Sequence, residues 1–347
     1  MGLGTNHSTV TTSNNFIGEQ WSDEVVAAYK QKIVLGNLVT KINFKGKKGD
    51  TLNIPVPARG SASAKAASSQ VTLIADTAGV IQVVINKHYE YSKLYEDIAE
   101  MQALASMRQF YTDDGGYALA KQVDQDLHLL GAGFQAGSIS GATNLYEKGV
   151  IGGDGSTNFS GAANTNTGNG TALTDAGIRR GIQTLEDSDV NSAELSFVIP
   201  PVEARVLRGI SRFTEQAFVG NGSAITTGRL GNLYGVEVFQ SSNCPWIHVN
   251  SVTGTQSVTF SSTAPTGTAY ADAFALTVNW SASTPSDTKY RACLMLHKDA
   301  MALAEQMSIR TQAQYKQEYL GTLVTSDTVY GVKELRDYAG LAFVVPA

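Results

Sequence analysis

The residues able to do chemistry in this chain are few and scattered. Its five histidines are His7, His88, His128, His248 and His297, and its two cysteines are Cys244 and Cys293. A structural zinc site needs four such ligands, usually at short spacings. Only His248 and Cys244 lie within four residues of each other, and one pair supplies two ligands. Core packing is the expected role of both thiols, as free cysteines in a reducing compartment. Carboxylates are paired at Glu96-Asp97 and Asp113-Asp114, and at Glu186-Asp187 with Asp189 nearby. Two carboxylates can act as general acid and base, but these pairs fall on polar helix faces or helix ends, where solvated acids are ordinary.

The sequence contains no G-x-S-x-G elbow, Walker-type phosphate loop, H-E-x-x-H helix or EF-hand loop. Gly131-Ala132-Gly133 and Gly152-Gly153-Asp154-Gly155 are glycine-rich, yet neither follows a strand and opens a helix. Phosphate cradling needs that context to aim backbone N–H groups, so both read as loops. Aromatic residues are not interleaved with Lys and Arg, which excludes a base-stacking platform. No catalytic, cofactor-binding or metal-ligating residue is assigned, and the chain is read as a non-enzyme.

Composition narrows the class further. Of 347 residues, 42% are hydrophobic and only 16% charged, against about 25% charged in ordinary globular chains. A globular chain so short of solvating charge is expected to cover its surfaces with copies of itself. The net charge of -5 excludes a generally basic nucleic-acid binder, though not a container for nucleic acid. No apolar run reaches the length of a membrane span, and residues 1–15 lack a secretory pattern.

Periodicity then supplies the elements that must position any site. Residues 1–15 read as an arm, and 16–38 as a helix stopped at Gly36-Asn37. Residues 41–44 and 51–56 alternate about a turn at 46–50 and predict a hairpin; 70–74 and 79–85 predict two more strands. Spacings of three and four from Leu94 to Leu130 predict the longest helix, interrupted or kinked at Gly115-Gly116. Residues 149–170 form a Gly/Ser/Thr/Asn loop. Thr174 can cap a helix carrying Ile178, Ile182 and Leu185; 196–199 is a buried strand, 202–213 a helix, and 228–239 a turn into a strand. Residues 250–288 are Ser/Thr-rich and strand-forming, and 289–347 are mostly strand. The class is α+β.

This ordered set resembles the major capsid proteins of tailed phages, the Hong Kong 97-type fold, and looks most like those of short-tailed phages. Three stretches carry the resemblance: the 41–56 hairpin followed by the long helix; 172–185 with Phe197-Val198-Ile199-Pro200-Pro201 and the Gly228 to Val238 turn and strand; and 294–310 with Gly331 to Arg336 and 339–345. It implies an α+β fold with an N-terminal arm (1–40), an extended loop with flanking strands (41–92), a peripheral domain with a spine helix (93–171), an axial domain (172–290) and return strands (291–347). It further implies hexamers and pentamers of an icosahedral head in the virion, assembled in the host cytoplasm with scaffolding and portal proteins around double-stranded DNA. The 149–170 and 250–288 stretches look long for a minimal subunit and read as surface insertions or as sites for a decoration protein.

In this family the extended loop lies over a neighbouring subunit. Residues 41–65 carry Lys41, Lys45, Lys47, Lys48, Arg59 and Lys65 against the single acid Asp50. Residues 94–130 carry Glu96, Asp97, Glu100, Asp113, Asp114, Asp124 and Asp126 against Arg108 and Lys121. Opposite fields steer association and fix register. The expected inter-subunit contacts are therefore Lys45, Lys47, Lys48 and Arg59 on one side and Glu96, Asp97, Glu100, Asp113 and Asp114 on the other; an ordinary solvated hairpin tip is the competing reading. Two rival functions stay open: an encapsulin-like compartment of the same fold, and a carbohydrate-binding or adhesin module built from the Ser/Thr/Gly-rich strands.

Overall fold

The computed structural model describes residues 33–44, 49–56, 62–71, 73, 79–97, 106–136, 151–155, 170–210, 231–252, 255–263, 270–271, 277–278 and 290–347. In chain order the elements begin with helix α1 (Leu35–Leu38), strands β1 (Thr40–Asn43), β2 (Thr51–Val56), β3 (Gly79–Val84) and β4 (Lys87–Glu96), and helix α2 (Ser106–Leu130). Then come β5 (Ile151–Gly152), α3 (Asp175–Glu186), β6 (Leu195–Ile199), α4 (Pro201–Arg208), β7 (Asn232–Leu233), β8 (Val236–Gln240), β9 (Trp246–Val252) and β10 (Thr255–Ser261). The two-residue strands β11 (Tyr270–Ala271) and β12 (Thr277–Val278) precede β13 (Tyr290–His297), β14 (Met301–Lys316), β15 (Gly321–Glu334) and β16 (Gly340–Pro346).

Two sheets organise the chain. The larger has β13 at its centre, paired with β16 on one side and with β6 and β9 on the other. A strand buried on both faces reads as a nearly continuous apolar run; β13 is buried from Tyr290 to Leu296, with Arg291 its one charged residue. Its period of two deals alternate residues to two cores. Tyr290, Ala292, Leu294 and Leu296 face the core shared with Leu35, Leu127 and Met301. Cys293 and Met295 face the core closed by Ile178 and Leu185 of α3 and Ala204 and Leu207 of α4. Thr174 caps α3 by accepting from Gly177 N at 3.1 Å, as its position predicts. Between β7 and β8, Tyr234 and Gly235 both hold positive φ, 52° and 86°, the tight hairpin turn that matches strand twist.

The smaller sheet runs β1-β14-β15-β4. In β4 intermediate and exposed residues alternate without a break. Lys87, Tyr89, Tyr91, Lys93 and Tyr95 therefore share one face, and His88, Glu90, Ser92, Leu94 and Glu96 the other. Helix α2 packs on the first face, where Tyr91 donates to Asp114 at 3.2 Å and Tyr330 of β15 donates to Asp126 at 2.6 Å.

Five local expectations change, the last of them at Gly115-Gly116. The 41–56 segment is not a hairpin: β1 pairs in parallel with β14, and β2 pairs with β3 instead. Alternation marks a strand without naming its partner, and the shared core of Phe44, Val83, Ile85 and Ala304 decides the pairing. Leu94 lies in a strand rather than opening the long helix, because ten residues of β4 pair continuously with β15. Gly36 and Asn37 lie inside α1, not after it. Of the strand expected at 70–74, Gln70, Val71 and Leu73 adopt none, and Val71 and Leu73 are largely exposed.

Gly115-Gly116 does not break α2, which is helical throughout Ser106–Leu130. A Cβ at Gly115 would stand 2.8 Å from the Tyr91 ring, whereas one at Gly116 meets nothing within 4 Å. Gly115 thus permits close approach of helix and sheet, and only Gly116 carries the helix-propensity cost without return. Gly116→Ala should stabilise the protein by about 0.5–1 kcal/mol, and Gly115→Ala should destabilise it by about 1–3 kcal/mol through overpacking. Urea unfolding of the two variants checks both signs.

Candidate functional site

Among the described residues a buried polar cluster lies where α2 meets α1 and the loop before β9. Asp124 is fully buried, and a carboxylate there requires donors for its lone pairs. Its Oδ1 accepts from Val34 N at 3.1 Å and Leu35 N at 2.8 Å, and its Oδ2 accepts from Asn243 Nδ2 at 2.8 Å. One turn on, buried His128 donates from Nδ1 to the Asp124 carbonyl at 2.7 Å. Arg291 of β13 donates to the carbonyls of Ser242 and Cys244 at 2.6 and 2.7 Å, with its guanidinium over the Trp246 ring at 4.7 Å. Three segments distant in sequence are tied at one point.

Burial governs the titration of this cluster. Desolvation lowers the His128 pKa below its ordinary value, and Asp124 opposes that only in part. Burial pushes the Cys244 thiol up to about 12 and raises Cys293 as well. Neither thiol is poised as a nucleophile, and both are free and buried, as expected from the sequence. His128 Nε2 has no hydrogen-bond partner among the described residues. Burial thus disfavours the charged form of His128 within this cluster. Its only sequence signal was the Asp124-x-x-x-His128 spacing, which places both on one helix face.

Among the described residues no group of three His, Cys, Asp or Glu is arranged to hold a metal. A cleft of about 370 Å³ between β3, the end of α2 and β15 is lined by Val84, Leu129, Leu130 and Val332 with Lys87 and Asp126. Its carboxylate is already engaged by Lys87 Nζ at 3.0 Å and by the Tyr330 hydroxyl at 2.6 Å. It offers no free base. No described helix is long and apolar enough to cross a membrane.

The expected contact residues divide as follows. Lys45, Lys47, Lys48, Arg59 and Glu100 lie outside the described residues. Glu96 ends β4 on its exposed face, and Asp97 accepts from the Tyr315 hydroxyl at 2.8 Å. Asp113 is exposed on α2 and Asp114 is half-buried against Tyr91. The acids thus occupy a strand and a helix rather than one helical face. Asp124 and Asp126 drop out of the acidic stripe, because both are buried and committed inside the subunit. The exposed row of the smaller sheet, missed in the sequence, carries an ion cluster instead: Arg310 forks onto Asp327 at 2.8 and 3.1 Å, and His88 approaches Asp327 at 3.4 Å. This pairing holds the Asp327 carboxyl below its ordinary range.

No family model and no curated protein matches the chain. Solved structures do. A chain from the capsid structure of the cyanophage P-SCSP1u is similar at a TM-score of 0.66 and 17% identity, covering 99% of this chain and 97% of that one. A chain of Mycobacterium phage Che8 is similar at 0.65 and 21% identity, covering 95% and 97%. A chain from the acid-stable capsid structure of Helicobacter pylori bacteriophage KHP30 is similar at 0.62 and 13%, covering 99% and 100%. The chain has the α+β fold of these phage capsid chains, the Hong Kong 97-type fold expected from the order of its elements.

Two outcomes test the junction. Asp124→Ala strands two backbone N–H groups and the Asn243 amide in the interior, and should cost about 3–5 kcal/mol in urea unfolding. Because His128 is less basic folded than unfolded, the unfolded chain binds more protons below its ordinary pKa of 6.5. Stability is then undiminished above that pH and falls as acid is added below it. His128→Gln should flatten this acid slope, read from unfolding midpoints across the same range.

Proposed function

We propose that this chain is the major capsid protein of a tailed bacteriophage, of the kind found in short-tailed phages. It self-assembles into hexamers and pentamers of an icosahedral head that encloses double-stranded DNA, and resides in the virion. The observation that carries the reading is the end-to-end likeness to capsid chains, 99% of this chain against 97% of the cyanophage one. Low charge content and the net charge of -5 suit a container that must later release its DNA. Scaffolding and portal proteins are the partners this reading brings with it, and a decoration protein is a further one, at 149–170 or 250–288.

Within that reading the segment around Lys45, Lys47, Lys48 and Arg59 docks as an extended loop on a neighbour's Glu96, Asp97, Glu100, Asp113 and Asp114. The five domain ranges drawn from the sequence belong to the same proposal. Each contact is modest, and closed symmetry makes the sum hard to undo.

Negative-stain electron microscopy of the purified chain, alone or with a scaffolding partner, tests the function. Uniform closed particles are expected; a persistent glycan-binding monomer would instead favour the adhesin-type module. Lys47→Glu with Lys48→Glu should lower the yield of closed particles by roughly an order of magnitude. Wild-type yield from that double variant would rule out the loop contact.

A further inference from the structure

The smaller sheet ends in two open edges. Among the described residues no strand pairs with the outer side of β4, and none pairs with β14 beyond Glu305, where β1 stops. Unpaired edges of this length are sites for strand addition unless something blocks them. Their exposed rows are charged in opposite senses. The β4 row reads His88, Glu90, Ser92, Leu94, Glu96, and the β14 row on the same face reads Arg310, Gln312, Gln314, Lys316. Glu90 and Glu96 are six residues apart, as are Arg310 and Lys316.

Within one chain this arrangement is left incomplete. Glu90 stands directly opposite Asp327, and like charges opposed across strands are unfavourable. Arg310 relieves Asp327 from the far side, but Glu90 and Glu96 have no cationic partner among the described residues. A cation beyond the β4 edge would complete the row.

We propose that the open edge of β4 in one copy of this chain pairs with the open edge of β14 in the next. The register sets Glu90 opposite Arg310 and Glu96 opposite Lys316, which takes Glu96 out of the acids offered to the extended loop and leaves Asp97, Glu100, Asp113 and Asp114 to it. This rests on the assembly reading above and deepens it. Both strands run antiparallel to β15, so they are parallel to each other. Joining copies with the exposed faces continuous therefore makes the new pair parallel, and both charges match. Arg310 then stands between its own Asp327 and the neighbour's Glu90.

The same rows discriminate against the alternative symmetric contact. In the fully overlapping register, a two-fold axis normal to the sheet would join β4 to β4 antiparallel with Glu90 against Glu96, and β14 to β14 with Arg310 against Lys316. That register puts like charges opposite each other, whereas the head-to-tail contact, the kind that closes into a ring, puts opposite charges together.

The test uses Ser92→Cys with Gln312→Cys, two exposed positions that the register places side by side. Within one chain they are separated by Thr325 of β15, roughly 9.5 Å or two strand spacings, beyond the limit of about 7 Å for a disulfide. Any bridge is therefore between copies, and the native cysteines are buried. Mild oxidation of assembled particles should give a ladder of covalent oligomers on a non-reducing gel, absent from each single-cysteine variant. Closed particles without that ladder would overturn the edge contact and leave the shell reading standing; absence of particles from the wild-type chain would overturn the shell reading itself. A second arm covers a double-cysteine chain that does not assemble. Glu96→Lys alone and Lys316→Glu alone should each cut particle yield by roughly tenfold, and combining the two changes in one chain, which restores an opposite-charge pair at every contact, should recover it. Wild-type yield from either variant alone, or no recovery in the combined variant, would also overturn the contact.

Discussion

A carboxylate with no access to water must find all its hydrogen bonds inside the protein, and Asp124 does so by recruiting three parts of the chain. The backbone entering α1 and the Asn243 amide before β9 converge on its two oxygens, and Asp124 itself carries α2 to the same point. Desolvation makes this demand strict: one missing donor leaves a buried charge uncompensated. Around it, Leu35, Leu127, Leu294 and Met301 close a shared core, so that polar satisfaction and apolar burial select the same arrangement. His128, whose charged form burial disfavours, completes the cluster one turn along α2.

From that point the two sheets take different roles. The larger sheet is buried on both faces along β13, and its two cores depend on alternation in β6, β13 and β16. It is internal framework. The smaller sheet is covered on one face by α2 and exposed on the other, and its long strands β14 and β15 extend past their neighbours. Exposed rows, open edges and an opposed pair of like charges gather there. Polar groups satisfied inside the subunit define the fold, whereas those left for an outside partner define how copies meet.

Legibility of the candidate site followed from the range of the interactions. The acids at Glu96, Asp97, Asp113 and Asp114 were visible as charge runs, but a charge run does not say which carboxylate faces inward. Asp124 and Asp126 have the same sequence character as Asp113, yet they are buried and paired across intervals of up to 204 residues. Gly115-Gly116 posed the same difficulty. Propensity treats the two glycines alike, and only the Tyr91 ring against one of them separates their roles.

The amino-acid order alone determined the fold class, the Thr174 cap, the buried strand β6, the strand character of 289–347, and the burial of both cysteines. Each of these rests on near neighbours or on composition: a cap acts over three residues, and a run of apolar side chains declares a buried strand by itself. Partnership was another matter. That β1 lies beside β14 rather than against β2, that Leu94 continues a strand rather than opening a helix, and that Asp124 joins three segments came only from the folded chain. Strand pairing and carboxylate satisfaction are decided by which distant groups are brought within hydrogen-bond reach, and no local pattern encodes that distance.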